Sequence, residues 1–390
     1  MCAQSLPSRS GPVLKHDLGG TTRQCTASQT LSRVRPLLPA FGITRLANIT
    51  GLDRIGVEVW VCIRPNGRCL SVSLGKGVTR ELAQVSAIME SIEVHHAERC
   101  AEPEIIATAR AAARRCAIVE PETLGPGIRW SSYSRSRAIG WSRGADLASG
   151  EPVLVPHARV DLHWSRVHPD AGLFATSTTG LASGNHRLEA LAHAMCEVIE
   201  RDAEWRFQRM SEAERTARQV DLTSVDVPAL REILAGIAAE GFDVVVWDIT
   251  SPVGVPAYRC SLNDPRTLAG LNPASGYGCH PSRAIALSRA VTEAVQCRVG
   301  TIAGSRDDLF HELYEAARLT GPREETPAGT LDFATRRSLP AGTSFEDDLR
   351  AIRRRLRAAG FPRVLVVDHT RPEFGIPVVF VVVPGMREVD

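Results

Sequence analysis

Three acidic segments, widely separated along the chain, carry the residues best suited to chemistry. Ser86, Glu90 and Glu93 stand at i, i+4 and i+7, which puts them on one face of a helix. Glu189, His193, Glu197, Glu200 and Arg201 share one side of a second helical stretch that follows Asn185. Arg289, Glu293 and Gln296 repeat the first spacing in a third. Carboxylates set beside Ser, Asn, Gln and Arg suit a site where Mg²⁺ bridges protein oxygens to phosphates.

The spacing alone leaves a second reading open. Glutamates at helical period usually form a solvated face. That reading is strongest for the second segment, whose carboxylates oppose the stripe of Leu188, Leu191, Met195 and Val198. It is weaker for the other two. Glu93 borders the stripe Leu82, Val85, Met89 and Ile92, and Glu293 lies beside Ile285, Thr292, Val295 and Val299. An unpartnered charge beside a core is costly, so these positions call for a partner.

The elements that must hold these residues read as a mixed α/β (α+β) chain. Gly56–Ile63 and Cys69–Ser73 flank the turn signal Pro65-Asn66-Gly67 and read as a hairpin. Gly75-Lys76-Gly77 is expected to break the second strand and lead into a helix over 79–99. A short helix at 31–38, limited by Pro36 and Pro39, and a surface helix at 105–116 are expected nearby. Residues 130–166 read as β-structure, and Gly180–Asn185 as a loop feeding a helix over 187–209. Further on, a helix at 227–241 precedes strands at 243–248 and 255–261. The loop Gly276–Pro281 starts a helix at 282–299, and a helix at 345–359 precedes strands at 364–368 and 377–383. Residues 320–343 read as a mobile insertion, residues 1–20 as a partly disordered lead-in, and 21–390 as one composite domain. Trp130, Trp141, Trp164 and Trp205 are expected in the core.

Bulk properties narrow the function classes. A formal net charge of +2 over 390 residues gives no reason to expect nucleic acid or an anionic membrane as partner. No apolar run reaches spanning length, and the first residues carry no apolar signal stretch, so a cytoplasmic protein is expected. Ten scattered cysteines, without a C-x-x-C pair or a Cys/His cluster at zinc spacing, read as reduced thiols. Lys76 lies in S-L-G-K-G, which is not a phosphate loop, although amides at the following helix start would favour a phosphate. His95, His96 and His193 read as structural or exposed, since Mg²⁺ prefers oxygen.

The wording of the three segments resembles the YcaO-domain family. The strings are S-L-G-K-G-V-T-R-E-L-A-Q-V-S-A-I-M-E-S-I-E from Ser73, G-L-A-S-G-N-H-R-L-E-A-L-A-H-A-M-C-E-V-I-E-R-D from Gly180, and G-Y-G-C-H-P-S-R-A-I-A-L-S-R-A-V-T-E-A-V-Q-C-R from Gly276. They stand in family order, and the resemblance covers about Gly20 to Gly385. It implies a YcaO-like domain of mixed sheets that uses ATP and Mg²⁺ to activate a peptide backbone amide. In such enzymes ATP phosphorylates the amide oxygen as a nucleophile adds to the carbonyl carbon. By this resemblance Glu90, Glu93, Glu197 and Glu200 hold Mg²⁺. Arg23, Thr30, Lys76, Ser86, Asn185, Glu189, Arg201, Arg289, Glu293 and Gln296 line the nucleotide. No catalytic side chain is assigned.

Phe41–Gly56, F-G-I-T-R-L-A-N-I-T-G-L-D-R-I-G, resembles the branch found with TfuA-type partners, which is associated with thioamide formation. The C-terminus P-G-M-R-E-V-D lacks the Pro-rich tail of many azoline-forming members. Glu58 replaces an expected Pro, and Arg187 falls where an acidic residue is common. The resemblance therefore implies a homodimeric thioamidating enzyme with a peptide or protein substrate, a TfuA-like partner and a sulfide donor. An azoline-forming cyclodehydratase and a non-catalytic nucleotide-binding scaffold are its two rivals.

Overall fold

The computed structural model describes residues 11–127, 130–163, 170–266, 273–305, 328–340 and 342–389. Two units of like build flank the centre. In the first, β3 (Arg45–Asn48), β4 (Glu58–Ile63) and β5 (Val72–Gly77) form an antiparallel meander carrying helix α2 (Arg80–Ala97). In the second, β12 (Asp243–Asp248), β13 (Ala257–Asn263) and β14 (Ala274–Cys279) form another, carrying α7 (Arg283–Ala303).

Gly75-Lys76-Gly77 and Gly276-Tyr277-Gly278 are strand, not the breaker and loop expected from their glycines. The reason is steric. A Cβ on Gly75 would lie 2.1 Å from the Ala87 nitrogen, and one on Gly276 would lie 2.1 Å from the Ala294 nitrogen. Glycine here lets a strand press directly against a helix backbone. Because side chains alternate along a strand, Lys76 and Tyr277 face away from the helix that their flanking glycines touch.

A seven-stranded sheet joins the units. Its order is β10 (Leu181–Ser183), β17 (Val378–Val382), β16 (Leu365–Asp368), β8 (Ile139–Asp146), β9 (Pro152–Pro156), β7 (Ala117–Ile118), with β6 (Ile105–Ala107) also paired to β8. Helix α4 (Arg187–Gln208) packs on this sheet, backed by α8 (Phe345–Ala358), whose Ser344 and Asp347 form a capping box. Arg298 of α7 ties the two meanders together by pairing with Asp53 at 2.5 Å and Asp264 at 3.1 Å. Three apolar cores result: α2 with the large sheet, α4 with α8, and α7 with α6 (Pro228–Ala239).

Several expectations are corrected. The helix expected at 105–116 is β6 followed by the short α3 (Ala109–Ala113), because Thr108 caps a helix only after the two isoleucines have paired with β8. Within the Gly180–Asn185 loop, Leu181–Ser183 pairs with β17. The first helix is α1, Ala27–Val34, set by a Thr26–Gln29 capping box. Residues 11–20 are fastened: β1 (His16–Asp17) pairs with β2 (Thr22–Arg23), Lys15 pairs with Asp348, and Val13 N–H donates to Glu346. Residues 1–10, 320–327 and 341 lie outside the described residues, as does Trp164. The rest of the expected mobile insertion is held: Leu331–Asp332 pairs with Val220–Asp221, and Phe333 is fully buried. Trp141 is fully buried, whereas Trp130 and Trp205 are only half-buried.

Candidate nucleotide and magnesium site

The two meanders and α4 enclose a cavity of about 600 Å³. That volume is typical of a small-molecule site. Every residue named above for metal or nucleotide lines it, from Arg23 and Thr30 near the N-terminus to Gln296 on α7.

The carboxylates of α4 are not on a solvated face. Glu189 is 3% exposed and Glu200 2%, because the helix is packed by the large sheet on one side and roofs the cavity on the other. Glu93 accepts two bonds from Ser183, one from its N–H and one from its hydroxyl, each 2.8 Å long. Glu197 accepts one from Gly180 N–H at 3.2 Å. Burial nevertheless raises Glu93 to about 7, against the Ser183 bonds and Arg23. Burial raises Glu197 to about 8, helped by the charges of Glu200 and Glu93 and opposed by Arg201. Glu200 is raised for the same first reason. Three cavity carboxylates whose proton affinity is raised by burial form an oxygen-only set, the donor chemistry that Mg²⁺ takes.

Cations stand among these carboxylates, and Arg201 Nη2 lies 3.3 Å from Glu200 Oε1. Lys76 Nζ sits 2.5 Å from Glu293 Oε2, and Arg201 Nη2 sits 3.7 Å from Glu293 Oε1. Burial would raise Glu293, but Lys76 and Arg201 outweigh it and hold the group at about 2. Tyr277 N–H donates to the same carboxylate at 3.2 Å. Gln296 donates to Leu74 O at 3.1 Å, bridging α7 to β5. Its Oε1 and the Nε of Arg289 are buried without a hydrogen-bond partner among the described residues. Buried polar atoms without partners mark where a ligand belongs. At the N-terminal side, Gln24 N–H donates to Glu189 at 3.0 Å, Arg23 lies 3.7 Å from Glu189, and Thr30 donates to Asn185 at 3.1 Å.

Two residues that shape the site, Ser183 and Tyr277, are not singled out by the sequence, and a third was placed differently. Ser183 holds Glu93, and Tyr277 lies under Arg201 at 5.4 Å from its ring centre. His193 was read as structural or exposed but lines the cavity, where burial and then Arg289 push it well below its usual value. Its spacing of four from both Glu189 and Glu197 was the available signal.

With this geometry the comparisons are informative. A family model described as YcaO cyclodehydratase, ATP- and Mg²⁺-binding, matches residues 74–387. An uncharacterised protein in the tfuA 3′ region of Rhizobium leguminosarum bv. trifolii is 33% identical over 389 residues, covering 94% of this chain and 89% of the relative. One from Methanothermobacter thermautotrophicus is 35% identical over 375 residues, covering 92% and 94%. Among solved structures, YcaO from Methanopyrus kandleri bound with AMPPCP and Mg²⁺ is similar at a TM-score of 0.72 and 25% identity, covering 94% of this chain and 93% of that one. A heterocyclase in complex with substrate and cofactor shares the fold at a TM-score of 0.80 and 23% identity, and this chain spans 55% of its length. No helix among the described residues is long and apolar enough to cross a membrane. The chain belongs to the YcaO family and is an ATP-dependent peptide-modifying enzyme with ATP and Mg²⁺ as its ligands.

Proposed function

We propose that this enzyme converts a backbone amide of a ribosomally made peptide, or of a protein glycine, into a thioamide, working with a TfuA-like partner and a sulfide donor. The observation that carries its ATP-dependent part is the make-up of the cavity. Carboxylates from α2, α4 and α7 line it together with Lys76, Arg201 and Arg289, and Arg201 lies 3.3 Å from Glu200. Glu90, Glu93, Glu197 and Glu200 would hold Mg²⁺, and Lys76, Arg201 and Arg289 would face the phosphates. Ser86, Asn185, Glu189, Glu293 and Gln296 complete the nucleotide walls, with Arg23 and Thr30 closing the N-terminal side. When bound, ATP supplies the phosphoryl group that turns an amide oxygen into a leaving group.

The chain's own contribution is placement and charge. Ser183 fixes the Glu93 carboxylate, and Glu204 holds Arg201 at 3.0 Å, so neither needs to reorganise when charge builds on a transferring phosphoryl. The choice of sulfide rests on the relative in the tfuA 3′ region together with the Phe41–Gly56 resemblance. The family description as a cyclodehydratase favours a second reading, in which a Cys, Ser or Thr of the substrate attacks to give an azoline. A single composite domain over 21–390, a homodimer and a cytoplasmic location belong to the same proposal.

Reconstitution with the peptide, the partner, ATP and sulfide tests it by intact mass. Exchange of one oxygen for sulfur is expected, and Glu93→Ala is expected to abolish it. Loss of one water with a neighbouring Cys, Ser or Thr consumed supports the azoline instead. Tight nucleotide binding with intact ATP and unchanged peptide supports a scaffold.

A further inference from the structure

Outside the cavity, three side chains with metal-ligating chemistry meet across 61 residues of sequence. Cys100 follows the C-terminal end of α2, and His157 and Asp161 lie on the turn after β9. One ligand atom from each falls within 4.8 Å of the other two. Cys100 Sγ is 3.4 Å from Asp161 Oδ1, and His157 Nε2 is 3.5 Å from Asp161 Oδ2. Zinc bonds of about 2.0–2.3 Å in a tetrahedron put neighbouring ligand atoms about 3.3–3.8 Å apart, and the thiol and the imidazole each stand at such a distance from one oxygen of the Asp161 carboxylate.

The second nitrogen of the imidazole is accounted for. His157 Nδ1 lies 2.7 Å from Ser142 Oγ on β8, which fixes the ring with Nε2 turned to the cluster. Metal-binding histidines are held in this way by a partner on the other nitrogen. A Cys-His-Asp nucleophilic triad is excluded by the order of contacts, since the thiol meets the carboxylate and the imidazole does not stand between them. His157 is 1% exposed, whereas Cys100 and Asp161 are half-buried, so an ion has a path in.

We propose that Cys100, His157 and Asp161 form a transition-metal site of zinc type, with water or an added thiol in the fourth position. The soft thiolate separates it from the carboxylate set of the cavity, which suits Mg²⁺. The ion would pin the end of α2 to the β9 turn, a seam already bridged by Leu162 N–H donating to Ala97 O at 3.2 Å. Glu90 and Glu93 lie on the same helix, so the site would steady their wall of the cavity.

The test strips the full-length protein with a chelator and titrates it with Co²⁺ and then Zn²⁺, with excess Mg²⁺ present to occupy the carboxylates. About one equivalent of Co²⁺ is expected, with a thiolate-to-metal charge-transfer band that Zn²⁺ abolishes, and bound metal should raise Tm. Cys100→Ser should lose the band and Asp161→Asn should weaken binding about tenfold or more, while Cys116→Ser leaves both unchanged. A wild-type protein without the band, or a band that survives Cys100→Ser, overturns the proposal. If Cys100→Ser does not fold, unchanged affinity in Asp161→Asn overturns it equally, and a tenfold loss there supports it.

Discussion

The β3–β5 unit with α2 and the β12–β14 unit with α7 are built alike and do different work. Each is a three-stranded antiparallel meander whose last strand carries Gly-X-Gly against two helical alanines. In the first unit Gly75 meets Ala83 and Ala87, and in the second Gly276 meets Ala290 and Ala294. Those contacts set a common register that the pattern of charges conceals. By spacing, Ser86, Glu90 and Glu93 match Arg289, Glu293 and Gln296. By the glycine contacts, Ser86 instead matches Glu293 and Leu82 matches Arg289, one helical turn away. The helix α7 starts one turn earlier relative to its alanines, and at the matched positions Leu82 and Arg289 both line the cavity, one apolar and one cationic. One scaffold thus presents Ser86, Glu90 and Glu93 from one helix and Arg289, Glu293 and Gln296 from the other, one turn out of step.

The most severe way to break this likeness is at the shared glycines. Gly276→Val would drive a side chain into the α7 backbone, and Gly75→Val would do the same to α2. Each should cost about 3 kcal/mol or more in chemical denaturation, or prevent folding, because neither strand nor helix can yield locally. If one valine is tolerated and the other is not, the two contacts are not equivalent and the common register is wrong.

A smaller effect separates the residues between the glycines. Lys76 reaches across to Glu293 of α7, while Tyr277 reaches to Arg201 of α4. Lys76→Met removes a cation from the phosphate end, and the affinity for a non-hydrolysable ATP analogue should drop about tenfold, or about 1.4 kcal/mol, by calorimetry. Tyr277→Phe keeps the ring under Arg201 and should change affinity less than about threefold. Equal losses from both would mean that the middle residues serve one purpose in both units.

How far the sequence disclosed this arrangement depends on which forces were local. The boundaries of α4, β12 and α8 follow from caps and periodicity, and the structure has them within a residue or two of expectation. The residues named for the nucleotide and metal were legible through family wording, and all line one cavity. Gly75-Lys76-Gly77 was misread because the benefit of a missing Cβ lies in a helix that only the fold brings near. Ile105–Ala107 was misread because its partner is β8, more than thirty residues on. The burial of Glu197 and Glu200, and the meeting of Cys100 with His157, depend on tertiary contacts that no local spacing encodes.

The gentlest test of the comparison is pH. Glu93 and Glu197, at about 7 and 8 in the folded protein, lie above the usual 4.5, so the folded state keeps protons that the unfolded chain has released. Their contribution to stability is complete below about 4.5 and is lost as pH rises through 7 and 8. Glu293, held at about 2, works in the opposite sense: its contribution is present above 4.5 and is lost as pH falls toward 2. Below about pH 6.5 buried histidines such as His193 and His95, held neutral by burial, work in the same sense as Glu293. The carboxylates therefore show themselves above it: between about pH 7 and 8 the metal-free protein should lose a few degrees of Tm, since water in the open cavity screens much of the effect. Glu197→Gln removes a proton-holding carboxylate and should flatten that slope, leaving the acid-side decline to which Glu293 and the buried histidines contribute. Mg²⁺ with a nucleotide analogue should flatten it in the wild type, because the bound cations stabilise the ionised carboxylates. A Tm that rises from about pH 7 to 8 without ligands would mean that the neighbouring cations outweigh burial at Glu93 and Glu197 as Lys76 and Arg201 do at Glu293, and that the two units hold their carboxylates alike.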